Sequence, residues 1–94
     1  MQAMTAVLTL DARLDLGAVR PLAQRLGACD GADLSLDAAG VTHLGALAAQ
    51  LLVAARQRWA AAGLRLEVGP RSPAFDDAVT VMGLGPWFEA EDAR

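Results

Sequence analysis

The stretch that decides the fold is Leu34-Ser35-Leu36-Asp37-Ala38-Ala39-Gly40-Val41-Thr42-His43-Leu44-Gly45-Ala46-Leu47. Its first residues alternate between apolar and polar, as in a strand with one buried face, and predict a central strand over Ala32–Asp37. The small residues Ala38–Gly40 then predict a turn. From Gly45 to Ala62 apolar side chains return at helical spacing, and Gly63 is suited to end that helix. We expect its buried face to carry Leu47, Ala48, Leu51, Leu52, Ala55 and Trp59.

The residues before this stretch predict a strand pair and a first helix. Thr5–Leu10 is rich in strand-forming residues, and Ala12–Leu14 follows as a second short strand. We expect these two strands to pair at the N-terminal edge of a sheet. Asp15 is a good N-cap, which predicts a helix from Leu16 to Ala28. Pro21 is tolerated there because it lies near the first turn.

The residues after the long helix predict one more strand and one more helix. Leu64–Val68 alternates strictly, and Gly69-Pro70-Arg71 predicts a turn after it. Ser72 is expected to cap the last helix, with Pro73 at its first position. The buried stripe of that helix is predicted to be Phe75, Ala78, Val79 and Met82.

The C-terminal part contains an aromatic pair and an acidic tail. Trp87-Phe88 is either a lid over the core or an exposed docking patch, and the sequence leaves both readings open. The acidic residues 89–94 are expected to form a frayed tail.

Composition bounds the class of protein. The 94 residues allow one domain, and the 11 acidic residues against 8 basic ones, all arginine, leave no basic stripe for nucleic acid. The apolar run Leu44–Ala55 is too short to span a bilayer. Cys29, the single cysteine, has no partner for a disulfide and no zinc-ligand spacing around it. With no basic leader at its N-terminus, the chain is expected to be cytoplasmic, without metal, cofactor or membrane insertion.

The stretch Leu34–Leu47 resembles the signature of STAS domains, the sulfate-transporter and anti-sigma-antagonist family. The order of predicted elements is similar to that family along almost the whole chain. Leu44–Leu47 with Ala54–Gly63 is closest to the short stand-alone STAS proteins found beside bacterial chemotaxis genes, and Pro70–Phe75 resembles the family's turn into its next helix. The resemblance implies a single STAS-like α/β domain over residues 1–94. Its mixed, mostly parallel sheet would have about four to five strands with helices packed on it.

The chain departs from the family at its phosphorylation switch. In many relatives a partner kinase phosphorylates the Ser or Thr at the position of Ala46, and the added charge expels the kinase. Ala46 has no hydroxyl, and Thr42, the nearest residue that has one, lies upstream of the helix. The resemblance implies a partner-binding set that includes this position: Thr42, His43, Leu44, Gly45, Ala46 and Leu47.

Two readings of the helix start remain open at this point. Its free N–H groups could attract an anion or a carboxylate of a partner. Alternatively, the small residues at Gly45 and Ala46 serve only to let the helix approach the neighbouring strand.

Residues that could carry catalysis do not form a constellation in the sequence. His43, the only histidine, has no nucleophile beside it, and we expect a contact or packing role. Ser35 lies in a strand without triad partners. Asp33 and Asp37 share a strand face, but Asp37 is expected to bind turn amides. Cys29 is expected to be a small buried side chain. Because none of these residues has the partners that catalysis requires, the chain is not expected to be an enzyme.

Three hypotheses for function follow from the resemblance. The first is a non-catalytic interaction module of bacterial signalling that docks a histidine-kinase-related or chemotaxis protein. The second is a structural STAS subunit of a larger, lipid-transport-type assembly. The third is a small-molecule or nucleotide-binding regulator, which only the breadth of the family suggests. The sequence leaves the oligomeric state open.

Overall fold

The strand predicted in the decisive stretch is the centre of the main sheet. The structure is a computed structural model that describes residues 5–89. Its elements, in chain order, are β1 Thr5–Thr9, β2 Arg13–Leu14, a 3₁₀ turn Leu16–Ala18, α1 Val19–Ala28, β3 Asp33–Ala38, β4 His43–Leu44, α2 Ala46–Ala61, β5 Leu66–Arg71, α3 Pro73–Val81 and a 3₁₀ turn Gly85–Phe88. The main sheet has the order β1-β3-β5, and β3 pairs in parallel on both sides.

One face of this sheet is buried and the other is open. Leu34, Leu36 and Ala38 of β3 are at most 1% exposed, and they join helix residues in one hydrophobic core. The alternate side chains of β3 are only half-buried. In β1 the contrast is larger, since Leu8 is buried while Val7 is 71% exposed. Side chains of a strand alternate between faces, so the open face carries the polar residues of β3 and, in β1, Val7 between two threonines.

The two N-terminal strands do not pair with each other, which corrects the predicted strand pair. β1 pairs with β3, and β2 instead forms a separate two-stranded parallel sheet with β4. The residues between β1 and β2 offer no hairpin turn chemistry, whereas α1 supplies the crossover that a parallel β1–β3 pair requires. All strand pairs within residues 5–89 are parallel, so the predicted α/β class is confirmed. The strands are divided between a three-stranded and a two-stranded sheet instead of one sheet of four to five strands, and no local sequence signal indicated the short β4.

The first helix begins later than predicted. Leu16–Ala18 forms a 3₁₀ turn, and Asp15 makes no side-chain capping hydrogen bond to it. Gly17 in this turn disfavours an α-helix, so α1 starts at Val19 and Pro21 falls in its first turn. Leu16 is 72% exposed rather than on the buried face, which only Leu22 and Leu26 occupy fully.

The long helix has the predicted bounds to within one residue at each end. Gly45 is its N-cap, and Gly63 follows its end with a φ of 77°. The expected buried face needs one correction, because Leu47 is 54% exposed whereas Ala49 is fully buried. Because most residues of α2 are alanine or leucine, the apolar pattern did not determine which side of the helix faces the core. Trp59 is buried, and its indole N–H donates to the carbonyl of Ala32 at 2.7 Å.

The last strand is longer than predicted and includes the predicted turn. β5 runs through Gly69 and the cis-bonded Pro70 to Arg71, while Leu64 precedes it. Proline is tolerated in β5 because this is an edge strand, where a missing N–H need not break the ladder.

Ser72 caps α3 as predicted and also joins two parts of the fold. Its buried hydroxyl donates to the carbonyl of Val41 at 2.6 Å and accepts the N–H of Phe75 at 3.0 Å. Pro73 occupies the first turn, as predicted, and Phe75 and Val79 are the fully buried residues of the stripe.

Of the two readings of Trp87-Phe88, the lid over the core holds for Phe88, whereas Trp87 is partly exposed. Phe88 is buried, with its ring edge-on to Phe75 at a centroid distance of 5.6 Å, so it closes the core. Trp87 is 48% exposed. Arg56 and Arg71 hold this segment through hydrogen bonds to the carbonyls of Trp87 (2.6 Å) and Phe88 (3.1 Å). Apart from Glu89, the tail predicted over residues 89–94 lies outside the described residues.

Ser72→Ala should lower the free energy of unfolding by about 1–2 kcal/mol, because it removes a helix cap and a buried hydrogen bond at once. Urea unfolding measures the loss. Ser35→Ala, on the open face of β3, is the matched control and should change stability little. Equal losses in the two variants would contradict the role given to Ser72.

Phe88→Ala should destabilise the fold by about 3 kcal/mol, since it removes an aromatic side chain from the core. Trp87→Ala should cost less than about 1.5 kcal/mol because that side chain is half in solvent. Thermal unfolding of the two variants tests the assignment, and the reverse order would refute it.

Candidate functional site

The predicted site residues lie where β4 ends and α2 begins. The loop that leads into them is held by Ala12, the residue before β2, because the N–H groups of Thr42 and His43 both donate to its carbonyl, at 2.7 and 3.1 Å. The hydroxyl of Thr42 donates to the same oxygen at 3.0 Å. The nearest hydroxyl to the helix start is therefore engaged with the backbone.

Gly45 lets the helix start approach β2 closely. Its N–H donates to the carbonyl of Leu14 at 2.9 Å, and its own carbonyl accepts from Ala49. A Cβ at this position would lie 3.1 Å from the Leu14 oxygen and 3.8 Å from Cα of Asp15. A side chain here would crowd backbone atoms, which supports the packing reading of the glycine.

The same glycine leaves the helix start without a side-chain cap. Gly45 is the N-cap of α2, and no side-chain hydrogen bond caps it. The early N–H groups of an α-helix have no intrahelical acceptor. The packing reading and the reading as a place for a partner's carboxylate are therefore compatible.

An exposed apolar surface surrounds this helix start. Leu47 is 54% exposed and Ala46 is exposed, while Leu44 is buried at 4% and supports them from the core. The 3₁₀ turn that carries Leu16 packs against α2, and Asp15 directly before this turn lies against Gly45. A second large exposed side chain is therefore close to the start of the helix. We call Leu16, Thr42, His43, Ala46 and Leu47 the α2 start surface.

Leu16 is the member that sequence reasoning missed. The predicted helix begins at Leu16, and Val19 and Leu22 follow it at helical spacing, as on the buried face of a helix. The signal that could have found it is Gly17, which interrupts the helix immediately after it.

The α2 start surface carries little charge. The nearest charged pair is Arg13 with Asp15, at 3.8 Å and largely in solvent. Exposed pairs of this kind contribute little to stability. His43 is exposed. Contacts with a partner at this surface would therefore be mainly apolar.

The candidate catalytic residues are dispersed. The Asp37 carboxylate accepts the N–H of Ala39 at 2.9 Å, as the turn reading expected, and the Asp33 carboxylate accepts the N–H of Arg65 at 3.0 Å. Ser35 is half-buried between them on the open sheet face, and Cys29 is half-buried at the end of α1. In the described part of the chain, no three His, Cys, Asp or Glu residues come together as a metal site would require.

A separate groove lies along α2 on the side of Trp87. It has a volume of about 290 Å³, and its lining is mostly apolar: Gln50, Val53, Ala54, Gln57, Leu84 and Trp87. None of the predicted site residues lines it, so Trp87 and the α2 start surface are distinct features.

None of the helices within residues 5–89 combines the length and the apolar character that crossing a bilayer requires.

The comparisons with known proteins support one family. No curated protein and no solved structure matches the chain. A family model described as "Mlab, STAS domain" matches residues 1–86. With the parallel sheet and the helix order already described, this match shows that the chain belongs to the STAS-domain family.

Proposed function

We propose that this chain is a non-catalytic interaction module that docks a protein partner on the α2 start surface. The observation that carries the proposal is the exposure of Leu16 (72%) and Leu47 (54%) at one end of α2. Exposed apolar side chains that lie close together are typical of protein-interaction sites. The surface is held in place by the backbone contacts of Thr42 with Ala12 and of Gly45 with Leu14.

The docking would not be switched by phosphorylation at the helix start. Gly45, Ala46 and Leu47 offer no hydroxyl group, and the Thr42 hydroxyl is bound to the carbonyl of Ala12. A phosphate at the position of Ala46 would place about two negative charges against the partner, and this chain has no acceptor for it there. Binding is then controlled by the amount of the partner.

Two classes of partner fit this surface. The resemblance to STAS proteins of chemotaxis gene clusters implies a histidine-kinase-related or chemotaxis protein in a bacterial cytoplasm. The second candidate is a subunit role in a larger, lipid-transport-type assembly.

Ala46→Glu should weaken partner binding at least about tenfold, which is about 1.4 kcal/mol, by placing a charge and a longer side chain at the centre of the surface. The fold should persist, because a carboxylate is favourable in the first turn of a helix. Isothermal titration calorimetry with the purified partner measures the change.

The matched control is Ala61→Glu. Ala61 is an exposed alanine at the other end of α2, about 22 Å away at 1.5 Å per residue. It should leave the affinity unchanged. Equal affinities of wild type and Ala46→Glu would remove the α2 start surface from the proposal.

Co-expression distinguishes the two partner classes. The chain is produced with the ATPase of a lipid-transport complex from the same organism, and separately with a histidine-kinase-related protein. A stoichiometric complex with the ATPase in gel filtration supports the subunit role, and one with the kinase-related protein supports the signalling role. If Ala46→Glu abolishes one of these complexes, the partner in that complex binds the α2 start surface.

A further inference from the structure

Among the residues that the structure describes, β1 is an edge strand. It pairs with β3 on one side only, and within residues 5–89 no strand lies on its other side. Proteins usually protect such an edge with charged residues, proline or a bulge. The opposite edge has this protection, since β5 contains Glu67, Pro70 and Arg71. β1, with the sequence Thr-Ala-Val-Leu-Thr, contains none of these devices.

The free hydrogen-bonding groups of β1 belong to alternate residues. The N–H of Leu10 donates to the carbonyl of Asp37 in β3, so the even-numbered residues of β1 face β3. Thr5, Val7 and Thr9 therefore direct their N–H and C=O groups to the open edge. A hydrogen bond of 2.7 Å from the Arg25 guanidinium to the Thr9 carbonyl agrees with this direction. That carbonyl has a second lone pair, so it can accept once more.

The sequence of β1 is complementary to itself when the strand runs antiparallel to a second copy. With Val7 at the centre, Val7 meets Val7, Thr5 meets Thr9, and Ala6 meets Leu8. Val7 and the two threonines carry the open groups, so these facing residues are the ones that exchange both N–H and C=O bonds. Paired threonines and paired β-branched residues are favourable across strands, and no charge opposes another.

We propose that the protein forms a twofold-symmetric dimer through antiparallel pairing of β1 with β1 of a second copy. The pairing joins two three-stranded sheets into one continuous sheet. It covers the side chain of Val7, which is 71% exposed in the single chain, with Val7 of the other copy. The Ala6 and Leu8 pairs extend the apolar layer beneath the helices.

The dimer leaves the α2 start surface of both copies available. The outer edge of β1 faces away from β3 and β5, whereas that surface is built on β4, α2 and the 3₁₀ turn before α1. Each assembled molecule would present two docking surfaces. The dimer proposal does not depend on the proposed function.

Sedimentation equilibrium of the full chain tests the dimer. The mass should rise from 9.8 kDa towards twice that value as concentration increases between about 10 µM and about 1 mM, the range expected of a small interface. Val7→Lys and Val7→Glu should each remain monomeric over this range, because like charges would face each other across the twofold axis. An equimolar mixture of the two variants should recover the dimer.

Val81→Lys is the matched control, since Val81 is 86% exposed at the end of α3. It should dimerise like the wild type. The edge proposal is overturned by a wild type that stays monomeric at the highest concentration. It is also overturned if the Val7 variants still dimerise. The same holds if Val81→Lys weakens the dimer as much as the Val7 variants do.

Hydrogen exchange of the wild type gives a second test that needs no variant. The amides of Val7 and Thr9 face the open edge, so in a monomer they should exchange quickly. In the dimer they donate to the second strand, and their protection should increase at least about tenfold from low to high concentration. Unchanged protection over the full range would exclude pairing through β1.

Discussion

The pairing of β3 with a parallel neighbour on each side is the constraint on which the rest of the structure depends. A central strand can keep its backbone groups satisfied only if both neighbours are in register, and its apolar side chains then form one continuous row. Leu34, Leu36 and Ala38 are at most 1% exposed, so the helices must cover this row closely. Ala48 and Ala49 of α2 are almost completely buried in the same core.

The end of β3 also determines where the proposed docking surface lies. After Ala38 the chain turns, forms β4 against β2 and enters α2 through Gly45. The buried hydroxyl of Ser72 binds the carbonyl of Val41 within this connection and caps α3, so the loop is tied to a second helix. The start of α2 is therefore held by backbone contacts, while its exposed side chains are free to contact another protein.

Two unpaired surfaces of different chemistry result from this arrangement. The α2 start surface is apolar and formed by side chains, so its selectivity would depend on shape. The outer edge of β1 offers backbone N–H and C=O groups in a fixed register, so its selectivity would depend on strand pairing. The two surfaces use different elements, and a single small domain could thus bind a copy of itself and another protein at the same time.

The sequence by itself determined the family, the class and most element bounds. Local signals were sufficient where they acted within a few residues, as with the alternation in β3, Gly63 after α2, and Ser72 before Pro73. Only the tertiary structure decided the pairing of β2 with β4, the extension of β5 through Pro70, and the exposure of Leu16 and Leu47. Strand partners are far apart in the chain, and the rotation of an alanine-rich helix depends on what packs against it. Local periodicity carries no information about either, because both are set by contacts between distant residues.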